Sequence, residues 1–233
     1  MQQFLQNPII DVLIPAFNEE QSIPKVIKDV PSLVRQVIVV NNNSTDRTPE
    51  VAAAAGAVVL HEPQMGYGKA CLTGMAYLFA MEKEPDILVF LDGDYSDYPE
   101  QLVEVVRPIL EENYDMVIGS RALGSRQTGS MTIPQVFGNW LSTTLMRWIY
   151  KTDYTDLGPF RAVKWDKLKN LGMVDQNYGW TIEMQIKAAK AGWKTTEVPV
   201  DYRRRIGVSK VSGTVKGVFG AGYKILYTIW KYA

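Results

Sequence analysis

Two acidic side chains separated by one glycine, Asp92-Gly93-Asp94, follow the apolar run ILVFL at positions 87–91. A short apolar run of this kind is a buried strand, so both carboxylates emerge where backbone pairing stops and the chain turns. Two such acids repel unless a cation shares them. Magnesium or manganese is held by one or two carboxylates, with phosphate oxygens filling other positions, which is how a metal bridges a nucleotide diphosphate. Asp-Gly also forms ordinary turns, so the pair alone fits an acidic turn equally well. Gly66-Tyr67-Gly68-Lys69 opens a helical segment. Glycine there permits close backbone approach, while free amides and the Lys69 ammonium can face anionic oxygens. Arg121, just past an apolar run, has the planar fork that pairs with phosphate, with a surface ion pair as the alternative. His61, the single histidine, reads as structural or exposed, and Cys71 as packing on an apolar helix face.

These residues need elements to hold them. Short apolar runs at Ile9–Ile14, Gln36–Val40, Val58–Leu60, Ile87–Leu91 and Met116–Ile118 alternate with helix-like segments, the pattern of an α/β sheet covered by helices. Ser22 is placed to cap one helix, Thr48-Pro49 opens another, and Lys69–Met81 and Pro99–Glu112 carry helical spacing. Ligands of such sheets bind beyond the carboxyl ends of the strands. Asn18 and Glu19, then Asn41 to Asp46, Gly66 to Lys69 and Asp92 to Asp97 all fall there, so four loops converge on one edge. The second half is less regular, with a polar loop at 120–132, helices at 135–150 and 180–191, and an extended stretch at 197–200.

The chain has 233 residues, 46% of them hydrophobic, enough for one substantial core, and a single domain over 1–233 is expected. Within it, 1–120, 121–213 and a C-terminal amphipathic helix at 214–233 are the expected parts. Lysine plus arginine and aspartate plus glutamate both number 25, so the formal net charge is zero and no global attraction to nucleic acid exists. A lone cysteine excludes an intrachain disulfide and fits a reducing, cytoplasmic location. The first residues lack the basic and apolar regions of a signal peptide. Over Val215–Trp230, Val215, Val218, Phe219, Ile225, Leu226, Ile229 and Trp230 share one broad face opposite Lys216, Lys224 and Lys231. Such a helix can pack on its own domain, join a homodimer, or give peripheral contact with a membrane at its cytoplasmic face.

Taken together, IPAFNEE (14–20), VVNNNSTDRT (39–48), GYGKACLTG (66–74), FLDGDYSDYPEQL (90–102), VIGSR (117–121) and GPFRA (158–162) resemble the family 2 glycosyltransferases, in particular the branch of dolichyl- and polyprenyl-phosphate sugar synthases. The resemblance runs to about Thr214, and it implies that 1–120 is the nucleotide-sugar-binding half and 121–213 the acceptor side. It implies a GT-A fold, a nucleotide-diphosphate sugar donor, Mg2+ or Mn2+ at Asp92 and Asp94, and inversion at the anomeric carbon. It also implies that Pro15, Ala16, Asn18 and Glu19 line the nucleoside, with Gly93 between the metal acids. Asn41 and Asn42 stand where the family usually has an acid, and an amide can donate as well as accept. Asp156 and Glu183 fall in the acceptor region, and either could serve as a base for a hydroxyl acceptor, while Glu183 could equally be held in an ion pair by a neighbouring Lys or Arg; a lipid phosphate, already ionised, needs no base. Arg203, Arg204 and Arg205, then GVSKVSGT with Ser209 and Lys210, match a basic segment that closes over phosphates in the relatives, with Gly207 and Gly213 for mobility. One departure stands out: Gln135, in MTIPQVFGNW (131–140), carries no charge where dolichyl-phosphate mannose synthases have basic residues, and Arg126 is the nearest replacement. A nucleotidyltransferase and an inactive nucleotide-sugar-binding protein are the alternatives. IPAFNEE is not the glycine-rich loop that the first of these needs.

Overall fold

The computed structural model describes residues 7–207 and 215–233. Its strands are β1 (Ile10–Ala16), β2 (Val34–Asn41), β3 (Val58–His61), β4 (Ile87–Phe90), β5 (Met116–Ser120), β6 (Arg161–Lys164) and β7 (Thr195–Pro199). Among the described residues these form one sheet in the order β3-β2-β1-β4-β6-β5-β7, parallel except for β6, which runs against both β4 and β5. Chain order reverses beside β1, which has β2 on one side and β4 on the other. The loops leaving β1 and β4 are thus neighbours at the carboxyl ends of adjacent strands, where a crevice opens.

Strand alternation sends side chains to two helical layers. Val12 and Ile14 of β1 pack with Ile23 and Val26 of α1 (Ile23–Asp29), Ala52 of α2 (Thr48–Ala54) and Leu102 and Val105 of α4 (Leu102–Glu112). Leu13 and Phe90 face the other way. They meet Leu78 of α3 (Tyr67–Phe79), Met146 of α5 (Ile133–Tyr150), Trp180 of α7 (Trp180–Lys190) and Ile229 of α8 (Val215–Tyr232). Each of these buried side chains contributes about 1.5–3 kcal/mol. Among the described residues, no helix is long and apolar enough to cross a membrane.

Two elements differ from expectation. β6 and the short helix α6 (Trp165–Asn170) occupy what the sequence presents as irregular, because Arg161 interrupts the apolar pattern. Its guanidinium is nonetheless buried, donating to the carbonyls of Thr181 (3.1 Å) and Gly158. Helix α5 starts at Ile133 rather than Gln135, and Gln135 forms a capping box with Thr132 over its first turn. The uncharged residue at the departing position thus has a structural task.

Candidate active site at the β1 and β4 strand ends

Asp92 and Asp94 lie two and four residues beyond the end of β4 at Phe90, in the crevice beside β1. Asp94 is fixed by its own turn: Oδ1 accepts from the Ser96 amide (2.8 Å) and hydroxyl (2.5 Å), leaving Oδ2 to face Arg205 at 3.2 Å. Burial, and secondarily the charge of Asp94, pushes the Asp92 carboxyl up to about 7. Two hard carboxylates this close in the chain, at a crevice that disfavours the charge of Asp92, are a donor set suited to a divalent cation. Among the described residues, no group of three or more His, Cys, Asp or Glu side chains is arranged to hold a metal, so such an ion would take its other ligands from phosphate oxygens and water.

Two cavities meet at Asp92. The first, about 430 Å³, is lined by Pro15, Ala16 and Glu19 from the β1 end, Gly93 and Asp94, and Arg205. The second, about 330 Å³, is mostly apolar, walled by Leu157, Pro159, Trp180 and Ile225, with Gln135 at its edge and Arg121 beside Asp92. Tyr67 and Tyr178 line both. The buried Tyr67 hydroxyl has no hydrogen-bond partner among the described residues, and its pKa is driven well up by burial and then by the Asp92 charge.

Several expected donor contacts have other work. Asn41 pairs with His61 Nδ1 (3.0 Å) and accepts from the Ser44 amide. Asn42 reaches the first cavity, but its Nδ2 donates to the Glu62 and Gln64 carbonyls and its Oδ1 accepts from the Gly66 amide at 2.8 Å. A carboxylate could not make the two donations, which explains an amide here. Asn18, at φ 55°, accepts from the Thr45 amide and joins the β1 and β2 loops. The glycines of GYGK make room for the backbone of 175–176, and Gly66 also lines the first cavity. A Cβ at Gly66 would lie 2.2 Å from the Gln176 carbonyl oxygen and one at Gly68 2.1 Å from that of Asp175. The Lys69 amide donates to the Gln176 carbonyl, and Lys69 lines neither cavity; its charge adds to the Thr73 hydroxyl and the Gln64 amide in holding Glu62 below its ordinary value.

Neither candidate base has the setting of one. Asp156 accepts from Arg121 Nε (2.8 Å), Nη2 (2.7 Å) and backbone amide (2.8 Å). Burial would raise its pKa, but the Arg121 charge and hydrogen bonds hold it below the ordinary value. Its segment is pinned by Glu197 on β7, Asn139 on α5 and Gln185 on α7. Glu183 is fully buried, accepting from the Asp175 amide (2.7 Å) and Tyr232 hydroxyl (2.8 Å) and pairing with Lys187 at 2.7 Å. Both carboxylates order the site's walls, and the Lys187 pairing is the ion-pair alternative for Glu183.

Of the basic triplet, Arg205 alone lines the first cavity, bridging Glu19 and Asp94 at 3.2 Å each. Arg203 is sandwiched between the Tyr95 and Tyr98 rings, 3.4 and 4.1 Å from their centroids, and Arg204 donates to the Thr128 carbonyl. Ser209, Lys210 and Gly213 lie outside the described residues. Arg126 contacts Met131 and does not line the second cavity. Besides Tyr67 and Tyr178, the structure adds Asp97, a buried carboxylate with neither oxygen hydrogen-bonded among the described residues, raised well above the usual range by burial and by Asp92 and Asp94. Its signal was a third acid within DGDYSD.

The family model described as Glycosyl transferase family 2 matches residues 11–172. An uncharacterized glycosyltransferase of Mycobacterium tuberculosis is 35% identical over 217 residues, 89% of this chain and 92% of its own length. A dolichyl-phosphate hexose transferase of Haloferax volcanii is 30% identical over 206 residues, 86% and 85% of the two chains. Glucosyl-3-phosphoglycerate synthase of M. tuberculosis, solved with Mn2+, UDP and glucosyl-3-phosphoglycerate, superposes with a TM-score of 0.76 over 97% of this chain and 80% of that one, at 22% identity.

Proposed function

The chain belongs to glycosyl transferase family 2 and has the GT-A fold, and from that premise we propose that it transfers a sugar, with inversion, from a nucleotide-diphosphate donor to a polyprenyl phosphate. The observation that carries this reading is the pair of cavities joined at Asp92, one with Arg205 and the acid pair, the other largely apolar. The first suits a nucleotide diphosphate. The second suits a prenyl chain, with a phosphate at its inner end near Arg121. The Haloferax relative, named for a dolichyl-phosphate acceptor, supports the same choice.

Inversion follows from direct displacement. An acceptor phosphate oxygen attacks the anomeric carbon as the bond to the donor's β-phosphate oxygen breaks, and the nucleoside diphosphate departs with the electron pair. A cation at Asp92 and Asp94, magnesium or manganese, would supply charge neutralisation on that leaving group. Arg205, already against Asp94, adds a second positive charge on the donor side. Arg121, whose Nε and Nη2 are occupied by Asp156, offers its remaining edge to the acceptor phosphate. An ionised phosphate needs no base, which agrees with the occupied carboxylates of Asp156 and Glu183.

The test is transfer of labelled sugar from uridine and guanosine diphosphate sugars to polyprenyl phosphate, with Mn2+, Mg2+ or chelator. Lipid-linked product that disappears with chelator and falls by at least ~100-fold in Asp94→Ala is expected. Transfer that persists in Asp94→Ala with chelator present would overturn the metal assignment.

A further inference from the structure

Helices α5 and α8 wall the apolar cavity, through Pro134, Gln135 and Gly138 on one and Gly222 and Ile225 on the other. They are joined by Tyr150, whose hydroxyl donates to the Ile229 carbonyl at 2.5 Å. Their outward sides are unusual for a protein surface. On α5, Ile133 (86% exposed), Phe137, Trp140 and Trp148 (69%) recur at helical spacing along one face. On α8, Tyr223, Leu226, Tyr227 and Trp230 (76%) do the same. A surface this apolar marks an interaction site.

Charge and residue type identify the occupant. The two helices contain Arg147, Lys216, Lys224 and Lys231 and no aspartate or glutamate, in a chain whose acids and bases balance. Lys224 shares its charge with Asp175 at 2.9 Å, which still leaves the pair of helices basic. Tryptophan and tyrosine, with apolar rings and a polar atom, concentrate at the boundary between lipid headgroups and acyl chains. Basic residues beside them add attraction to anionic lipid, about 1 kcal/mol each near the surface. We infer that the joint α5–α8 face lies on an anionic bilayer, so that the cavity between the two helices opens toward the leaflet holding the acceptor. This rests on the lipid-phosphate reading of that cavity and adds α5 to the surface expected from the C-terminal helix alone.

The test is sedimentation with vesicles of phosphatidylcholine alone and of phosphatidylcholine mixed with phosphatidylglycerol. It uses the wild type, the double variant Trp148→Glu with Trp230→Glu, and Phe79→Glu as a control for an exposed apolar residue on α3. Neither tryptophan lines the cavity. Wild type and control should bind the anionic vesicles, and the double variant at least ~10-fold more weakly. The double variant should retain transfer to a short, water-soluble prenyl phosphate within about twofold, since its core is untouched. Equal vesicle binding by all three proteins would overturn the inference. So would a wild type that ignores vesicles, or whose dimer, seen by light scattering, is split by the double substitution. Vesicle binding without any lipid-phosphate product would uphold this surface and remove the acceptor assignment. Product formed in detergent by a protein that ignores vesicles would do the reverse.

Discussion

Arg121 and Asp156 form a buried ion pair whose geometry is bidentate and whose carboxylate is further held by the Arg121 amide. Removing one partner leaves an uncompensated charge in the interior, a loss of about 3–5 kcal/mol. Asp156→Asn should therefore lower stability by that amount in urea unfolding, with a secondary fall in activity as Arg121 moves. The pH dependence has a definite sign. Because the folded-state carboxyl is held below 3.8, its contribution is present above that pH and is lost as pH falls through the lower, folded value. Wild-type thermal stability should decline below about pH 4, and Asp156→Asn should show a flatter acid limb in the same scan. A variant with unchanged stability and an unchanged acid limb would refute the structural weight placed on the pair. Asn42 makes the complementary point: its two donations to backbone carbonyls dictate an amide, where sequence comparison suggests only a missing acid.

At the level of elements, the start of α3 and the 175–176 segment are in closer contact than any side chain allows. A methyl at Gly68 would overlap the Asp175 carbonyl oxygen at 2.1 Å, and backbone atoms on both sides have little room to yield. Gly68→Ala should destabilise by about 1–3 kcal/mol and shift Tyr67, weakening donor and acceptor use together. Denaturant midpoints and KM values for both substrates measure this. An alanine variant as stable as wild type would mean that the contact relaxes freely. Helix α5 illustrates a related dependence. Its capping box fixes the first turn that forms one wall of the apolar cavity, so the uncharged Gln135 acts through the helix end rather than through a phosphate.

For the whole molecule, the arrangement of two cavities around one acid pair predicts acceptor class. With Asp156 and Glu183 committed to hydrogen bonds and ion pairs, no carboxylate expected to act as a base is open to a hydroxyl. Polyprenyl phosphate should be used, while the matching polyprenol should be slower by roughly 10²–10⁴, the usual worth of a general base. Competition between the two lipids in one assay reads this directly. Comparable rates would require a base elsewhere, for which Asp97, raised by burial, would be the first residue to substitute.

Strand positions, the convergence of four loops and the acid pair were legible because they depend on local pattern: apolar runs, turn residues and spacing along one chain. β6 was not, since the buried Arg161 that breaks its pattern is satisfied only by carbonyls from 158 and 181. The task of each polar residue was equally hidden. Asn41, Gly68, Asp156 and Glu183 have residue types that suit chemistry, but a side chain's partner is fixed by what packs beside it. The sequence by itself determined the family, the fold and the edge of the sheet on which the acid pair and the neighbouring loops gather. Only the tertiary structure decided that Arg205 alone of the basic triplet lines the cavity at the acid pair, that Arg121 lines the apolar one, and that two aromatic helices wall it, because these rest on contacts between segments far apart in the chain.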